Sequence, residues 1–435
     1  MIWFYRLLFL PALLIALPYY WWRMYKRGGY RHDFHHRFGL IDRPPAKRPG
    51  TKRIWIQAVS VGEIRALTPL VDALHELPGV EVIVTTTTST GYKILREEFS
   101  PKVLKVGIFP LDFFPFSRNS WRRLEPDLAI LMEAELWPEH LYQAHLRGVP
   151  VLLINGRMSD RSFQRYKKFP AVSRRLMGRL AGLLAATPND GQRFLALGTD
   201  PATTAVTGSM KLDVEVKPVL SPEEIAALHH EMGFTAPEAS QPIPLVLLGS
   251  STWPGEEALL LDILNDALAA GIDTRLLIIP RHAERRGEII ELLNKQPLPW
   301  HLRTRSKQAP GPVKIYVADT TGEMLRLSQA GTLAFIGKSV PPNDGGQTPV
   351  EAAALGLPLV YGPGMSNFRH ICRQLEEAGA ALRQPDAPAV KATLLELMRD
   401  PARREKMSAA GRAWHAANQG ATARIVERVR QEIGK

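Results

Sequence analysis

From Arg53 onward the chain alternates short apolar runs with stretches whose apolar residues recur at helical spacing. The runs fall at residues 54–59, 80–84, 103–109, 128–132, 149–154 and 183–186, and again at 245–248, 275–279, 313–317, 333–336 and 357–361. Between the first two, Ile64, Leu67, Leu70, Val71, Leu74 and Leu77 mark one face of a helix. A strand buried on both faces requires such a run, and a parallel neighbour requires a crossover, usually helical, between them. The pattern therefore predicts an α/β fold of doubly wound parallel sheets. A more polar, proline-containing segment at 214–244 interrupts it. That break predicts two Rossmann-like domains, 31–213 and 245–435, joined by a linker, with the C-terminal helices on the second. A length of 435 residues suits two such domains.

A second constraint stands at the N-terminus. Residues 7–22 read LLFLPALLIALPYYWW, without a charge. With 1–5 included, the stretch reaches about the 20 residues a helix needs to cross a bilayer, although Arg6 interrupts it. Tyr19, Tyr20, Trp21 and Trp22 form an aromatic belt, and Arg23, Lys26, Arg27 and Arg31 follow at once. This order predicts a membrane anchor over 1–30, with the domains on the cytoplasmic side. A cleaved signal peptide fits less well, because the basic cluster follows the apolar run and no small-residue cleavage site precedes the aromatics. Pro11 and Pro18 leave a second form open, a helix lying in the interface. The net charge of +12 suits an anionic membrane surface or a phosphorylated substrate. Charge alone would also suit nucleic acid, but the chain carries no nucleic-acid-binding signature.

The apolar fraction of 45% argues against disorder. The single cysteine, Cys372, excludes an intrachain disulfide framework and a cysteine-built zinc site, and reads as a small buried residue. His32 and His36 are spaced as two metal ligands on a helix would be. No carboxylate or cysteine stands at matching spacing, so RHDFHHRFG reads as a basic membrane-surface segment and no metal site is expected.

In doubly wound sheets, ligands bind beyond the carboxyl ends of the strands. In the first domain those ends carry Ser60 to Glu63, Thr85 to Gly91, then Glu133, Glu135 and Trp137, then Asn155 to Arg157, and finally Thr207 to Lys211. In the second they carry Gly249 to Thr252, Pro280 to His282, and Asp319 to Glu323. Singly, each is a helix cap or turn. Polar clusters at most strand ends of both domains predict a ligand cleft between them. The stretch GGQTPVEAAALGLPLVYGPG at 345–364 is the most specific. A glycine loop feeds a helix at Pro349, a ready anion site, and Glu351 on the first turn suits a ribose hydroxyl pair.

Seven motifs follow one another along the chain: VSVGE at 59–63, MEAELWP at 132–138, NGRMSDRS at 155–162, TGSMKLD at 207–213, PRHAER at 280–285, DTTGEM at 319–324 and GGQTPVEAAALGLP at 345–358. In this order they resemble the 3-deoxy-D-manno-octulosonic acid (Kdo) transferase family of lipopolysaccharide synthesis, over nearly the whole chain. The resemblance implies a GT-B glycosyltransferase that moves Kdo from CMP-Kdo to a lipid A precursor (lipid IVA) at the inner membrane, with inversion and without a metal. It implies Glu63 as general base and Glu133 and Lys211 as transition-state stabilisers. It implies CMP contacts at Pro280, Arg281, Thr321, Gly322, Glu323, Thr348, Pro349, Val350 and Glu351. One departure stands out: the family usually has Asn before the last motif's proline, often after Gly-Gly-His, where this chain has Gln347 and Thr348.

The residue chemistry agrees. Inverting transfer needs one carboxylate to deprotonate the incoming hydroxyl, and Glu63 at a helix N-terminus is expected to stay ionised. Lys211 and Arg281 supply positive charge for the donor's carboxylate and phosphate. The same residues are compatible with another GT-B enzyme or epimerase that uses a UDP-sugar, or with a membrane-tethered nucleotide-sugar binding module that has lost its chemistry.

Overall fold

The computed structural model of the chain describes residues 2–26, 32–213, 219–234 and 244–434. The chain forms two compact units, Met1–Asp213 with Asn418–Lys435, and Val214–Ala417. Arg27 and Arg31 of the expected basic flank, and 214–218 and 235–243 of the expected linker, lie outside the described residues. The rest of that linker contains a helix, Pro222–Glu231, which opens on a capping box between Ser221 and Glu224.

The first unit is built on seven strands: β1 (Lys52–Ala58), β2 (Val80–Thr86), β3 (Lys105–Ile108), β4 (Leu128–Met132), β5 (Val151–Gly156), β6 (Gly182–Ala185) and β7 (Thr204–Val206). They lie in the order β3-β2-β1-β4-β5-β6-β7. Every pair is parallel. The order reverses direction beside β1, the usual place for ligands in such sheets. Strand alternation sorts the core. Ile54, Ile56 and Ala58 pack with Ile64, Leu67, Leu70, Val71 and Leu74 of helix Val61–His75. Trp55 faces the other side, among Phe109, Trp121, Leu131 and Leu153.

The second unit repeats the plan with β8 (Leu245–Thr252), β9 (Thr274–Pro280), β10 (Trp300–Leu302), β11 (Ile315–Val317), β12 (Leu333–Ile336), β13 (Leu359–Tyr361) and β14 (Ala381–Arg383). Their order is β10-β11-β9-β8-β12-β13-β14. All are again parallel. The apolar-run reading missed β7, β10 and β14. Each has three residues and stands at a sheet edge, where burial on both faces is not required.

One expectation about the domains is corrected. The last helix, Ala421–Ile433, belongs to the first unit and not to the second. Its Ala421, Ile425, Val426 and Val429 complete the core against helix Val61–His75. Asp213 fixes its start by accepting the backbone N–H groups of Gly420, Ala421 and Thr422. A carboxylate there satisfies orphan donors and opposes the helix dipole.

The N-terminal helix, Ile2–Lys26, contains one 18-residue stretch, Ile2–Tyr19, with mean hydropathy 1.7, long and apolar enough to cross a membrane by length and composition. Its first turns are tied to the first unit. Arg6 forks onto Glu139 through two bonds of 2.8 Å. The Tyr5 hydroxyl donates to Asp112 at 2.6 Å, and the Phe9 ring stacks on Phe113 at 5.0 Å.

Candidate active site

At the carboxyl edge of the first sheet, the turn after β1 is laced by its own side chains. The Ser60 hydroxyl accepts the Glu63 N–H at 3.2 Å, and the Glu63 carboxylate accepts the N–H groups of Val59 at 2.9 Å and Ser60 at 3.2 Å. This capping box holds Glu63 almost fully buried, at 5% exposure. Thr86 and Thr88 donate their hydroxyls to the Val59 carbonyl, which ties the second strand's end to the same turn. Gly91 lets the next helix approach, since a Cβ there would meet Ile64 Cδ1 at 2.6 Å.

Beyond β4 the chain turns through Glu133 in the left-handed region, at φ 55°. Its N–H reaches back to the Ile154 carbonyl at 3.0 Å. The turn aims the Glu133 carboxylate at Lys211, whose Nζ donates to it at 2.8 Å. Lys211 sits in a single turn, Met210–Leu212, whose flanking side chains are buried. Asn155 at the end of β5 positions that turn by accepting the Met210 N–H at 3.3 Å. Of the three residues expected from the first domain, Glu63 and Glu133 thus stand past the adjoining strands β1 and β4, and Lys211, past the edge strand β7, reaches Glu133 through its side chain.

Electrostatics departs from the simple expectation for Glu63. Burial raises its carboxyl above the ordinary value, the Glu133 charge adds to this, and the Val59 and Ser60 donors oppose it. Glu135 completes the group. Burial, then the charges of Glu63 and Glu133, push it up to about 7. The sequence placed Glu135 at a strand end without a role. Its raised pKa depends first on burial and then on Glu63, both set by the fold, with Glu133 two residues away in the same motif.

In the second unit Pro280 ends β9, and the Arg281 N–H is held by the Thr252 carbonyl at 3.1 Å. The Arg281 side chain is exposed. Thr321 and Gly322 are exposed on a turn with Gly322 at φ 88°. Glu323 is different. Arg303 grips its carboxylate with bonds of 2.7 and 2.6 Å, Thr320 adds a third at 2.7 Å, and these interactions hold it down to about 2. Its side chain is therefore committed within the protein.

The glycine loop forms as expected, with Gly345 at φ 106° and Gly346 at φ 68°, and its helix runs Val350–Ala354 with Pro349 at the cap. The Thr348 hydroxyl accepts the Val350 N–H at 3.3 Å, a role an asparagine side chain can also fill. Glu351 Oε2 is buried with no hydrogen-bond partner among the described residues, and burial raises this carboxyl above its ordinary range. Buried polar atoms are rarely left unpaired, and such an oxygen suits a ligand hydroxyl. Lys338 was overlooked. It follows β12 in the left-handed region at φ 58°, lies 4.5 Å over the Trp253 ring, and stands beside Gly345. The strand-end rule points to it, since it stands two residues past Ile336.

Near the N-terminal segment, Asp33, His35 and His36 bring ligand atoms within 4.8 Å of one another, a different grouping from His32 and His36. Two of these groups already have partners. Asp33 accepts the Tyr92 hydroxyl at 2.5 Å, and His36 Nδ1 accepts the Ile108 N–H at 3.3 Å.

Residues 32–214 match the family model described as 3-deoxy-D-manno-octulosonic-acid transferase (kdotransferase). Over 433 residues the chain is 35% identical to the 3-deoxy-D-manno-octulosonic acid transferase of Bordetella pertussis, covering 97% of each. Among solved structures, a glycosyltransferase from Rickettsia africae ESF-5 matches at TM-score 0.55 and 12% identity, over 88% of this chain and 99% of that one. The UDP-GlcNAc 2-epimerase of Neisseria meningitidis bound to UDP-GlcNAc matches at TM-score 0.55 and 16% identity, over 87% and 100%. The two structures share the fold with this chain, and fold alone does not separate transferase from epimerase.

The Glu135 proton gives a test. A carboxyl whose folded pKa is raised binds a proton that the unfolded chain has released, so its contribution falls as pH rises from the ordinary glutamate range toward 7. Glu135→Gln should therefore stabilise the fold by on the order of 2–3 kcal/mol at pH 8 and by much less at pH 5, read from urea unfolding midpoints. A difference independent of pH would mean that Glu135 is not held protonated near neutrality.

Proposed function

The chain belongs to the 3-deoxy-D-manno-octulosonic acid (Kdo) transferase family, and from that premise we propose that it moves Kdo from CMP-Kdo to a sugar hydroxyl of a lipid A precursor, lipid IVA. The observation that carries the reading is the Glu133–Lys211 pair at 2.8 Å, standing close enough to Glu63 for the Glu133 charge to raise its carboxyl.

In this reading Glu63 takes the proton of the acceptor hydroxyl as its oxygen attacks the anomeric carbon. The bond to CMP breaks as the new one forms, and the configuration inverts. Positive charge builds at the anomeric carbon. Glu133 opposes that charge, and Lys211, oriented by Glu133, faces the donor's carboxylate. A carboxyl lifted above the ordinary range is a stronger base than a free glutamate once ionised, which suits the step.

The second unit binds CMP. Arg281 takes the phosphate through a charge-assisted bond. Thr321, Gly322 and Thr348 offer backbone and hydroxyl groups, Pro280, Pro349 and Val350 shape the loop, and Glu351 Oε2 accepts from the ribose. Glu323 contributes through its backbone, because Arg303 holds its carboxylate. The apolar N-terminal helix anchors the chain at the inner (cytoplasmic) membrane, with the domains on the cytoplasmic side. Donor, lipid acceptor and membrane are its partners, and nucleic acid is not.

Two outcomes test the assignment. Glutamine at position 63 keeps one capping acceptor, so Glu63→Gln should leave folding and CMP affinity near normal while slowing transfer at least about a hundredfold. Single-turnover transfer within a few-fold of the wild type would leave Glu63 as a cap alone. Arg281→Ala should weaken CMP binding by about 1.5–3 kcal/mol, and Glu351→Gln should weaken CMP more than a ribose-free phosphate analogue. Calorimetry giving normal CMP affinity in both variants would move the donor site elsewhere, and tighter binding of UDP than CMP by the wild type would replace CMP-Kdo by a UDP-sugar as donor.

A further inference from the structure

The Arg6 clamp changes what the N-terminal helix can do. Arg6 is 10% exposed and Glu139 is fully buried, and Glu139 also accepts from Gln143 at 2.7 Å. Asp112, which takes the Tyr5 hydroxyl, accepts the N–H groups of Glu139 and His140 at the start of helix Pro138–Leu146. The first turns of the N-terminal helix are therefore fastened to the end of another helix. Beyond Ala12, residues 13–22 extend about 15 Å, roughly half the hydrocarbon thickness of a bilayer.

The fastened part leaves an apolar groove of 310 Å³, lined by Ile2, Tyr5, Phe9, Pro138, Val172 and Leu176 among others. Helix Pro170–Met177 forms one wall, and its Arg174 and Arg175, with Arg179 just past its end and His145, line a second, basic concavity of 740 Å³. Pro138 and His145 lie near opposite ends of one helix, so groove and basin are about 10 Å apart. That separation matches the depth from lipid phosphate to acyl boundary. Arg174 and Arg175 are exposed, and Arg179 Nη1 is buried without a hydrogen-bond partner. Around the basin Phe169 is 63% exposed and Leu146 58%, an apolar rim beside uncompensated charge.

We propose that this face of the first unit lies on a bilayer of anionic phospholipid, with an acyl chain in the groove and the lipid phosphate on Arg174, Arg175 and Arg179. The inference goes beyond the reading above by naming the face and the lipid class, and it rests on the membrane location proposed there. The charge complementarity is direct: three arginines that form no salt bridge among the described residues meet a phosphate surface worth about 1 kcal/mol for each basic residue.

The test uses the full chain and two vesicle compositions, phosphatidylcholine alone and phosphatidylcholine with phosphatidylglycerol. The variant Arg174→Gln/Arg175→Gln/Arg179→Gln should lose roughly a hundredfold in partitioning to the anionic vesicles at low salt, with the difference collapsing near 1 M salt. Partitioning to neutral vesicles, driven by the apolar helix, should be unchanged. Arg179 stacks on Tyr142 at 5.0 Å, so Arg174→Gln/Arg175→Gln is measured alongside and should show most of the loss with that contact intact. Equal partitioning of both variants and wild type to anionic vesicles overturns the proposal. So does a raised KM for detergent-dispersed acceptor with vesicle binding unchanged, which would give the basin to the acceptor's own phosphate. Failure of the membrane location itself is distinguishable, because the wild type would then bind neither vesicle.

Discussion

Every paired strand runs parallel to its neighbours, and within each sheet that one constraint sends all the strand carboxyl ends to one edge. Each strand must hand the chain to a crossover there, so backbone donors are left without partners at every turn. The polar residues that gather at these edges are first an answer to that problem. Glu63 accepts two backbone N–H groups in the first unit. Glu256 accepts those of Trp253, Lys338, Ser339 and Val340 in the second. The chemistry proposed for Glu63 would thus use a carboxylate that the architecture already requires.

This double use explains the tension at Glu63. A helix N-terminus favours the ionised form, yet burial and the neighbouring Glu133 act the other way and prevail. Lys211 relieves part of the crowding by pairing with Glu133, and Glu135 relieves more by keeping a proton near neutrality. The group thus holds three carboxyls and one cation, with Glu135 only partly ionised near neutral pH. In the second unit the logic is reversed. Arg303 grips Glu323 and is shared with Glu231, while Glu351 keeps one oxygen buried and, among the described residues, unpaired.

Legibility in the sequence followed burial. Interior strands such as Leu128–Met132 and Leu333–Ile336 are apolar on both faces and stood out at their observed bounds. Edge strands did not: in Thr204–Val206 two of three residues are exposed, so no apolar run marks it. The sequence assigned the C-terminal helices to the second domain, but which sheet receives Ile425, Val426 and Val429 is a tertiary fact. Arg6 read as a flaw in an apolar run because its partner lies 133 positions away. The motif residues Glu63, Glu133 and Lys211 were readable as types at strand ends. The proton on Glu135, the Arg303 grip on Glu323 and the cation at Lys338 depend on neighbours that spacing does not reveal.

The central claim is that this chain joins Kdo to a lipid acceptor at the expense of CMP-Kdo. Mass spectrometry of the lipid recovered after incubating the purified full chain with CMP-Kdo and lipid IVA tests it most directly. The account predicts an acceptor heavier by whole Kdo units, with CMP released one for one. Unchanged lipid in that mixture, together with turnover of a UDP-sugar supplied in its place, would contradict it.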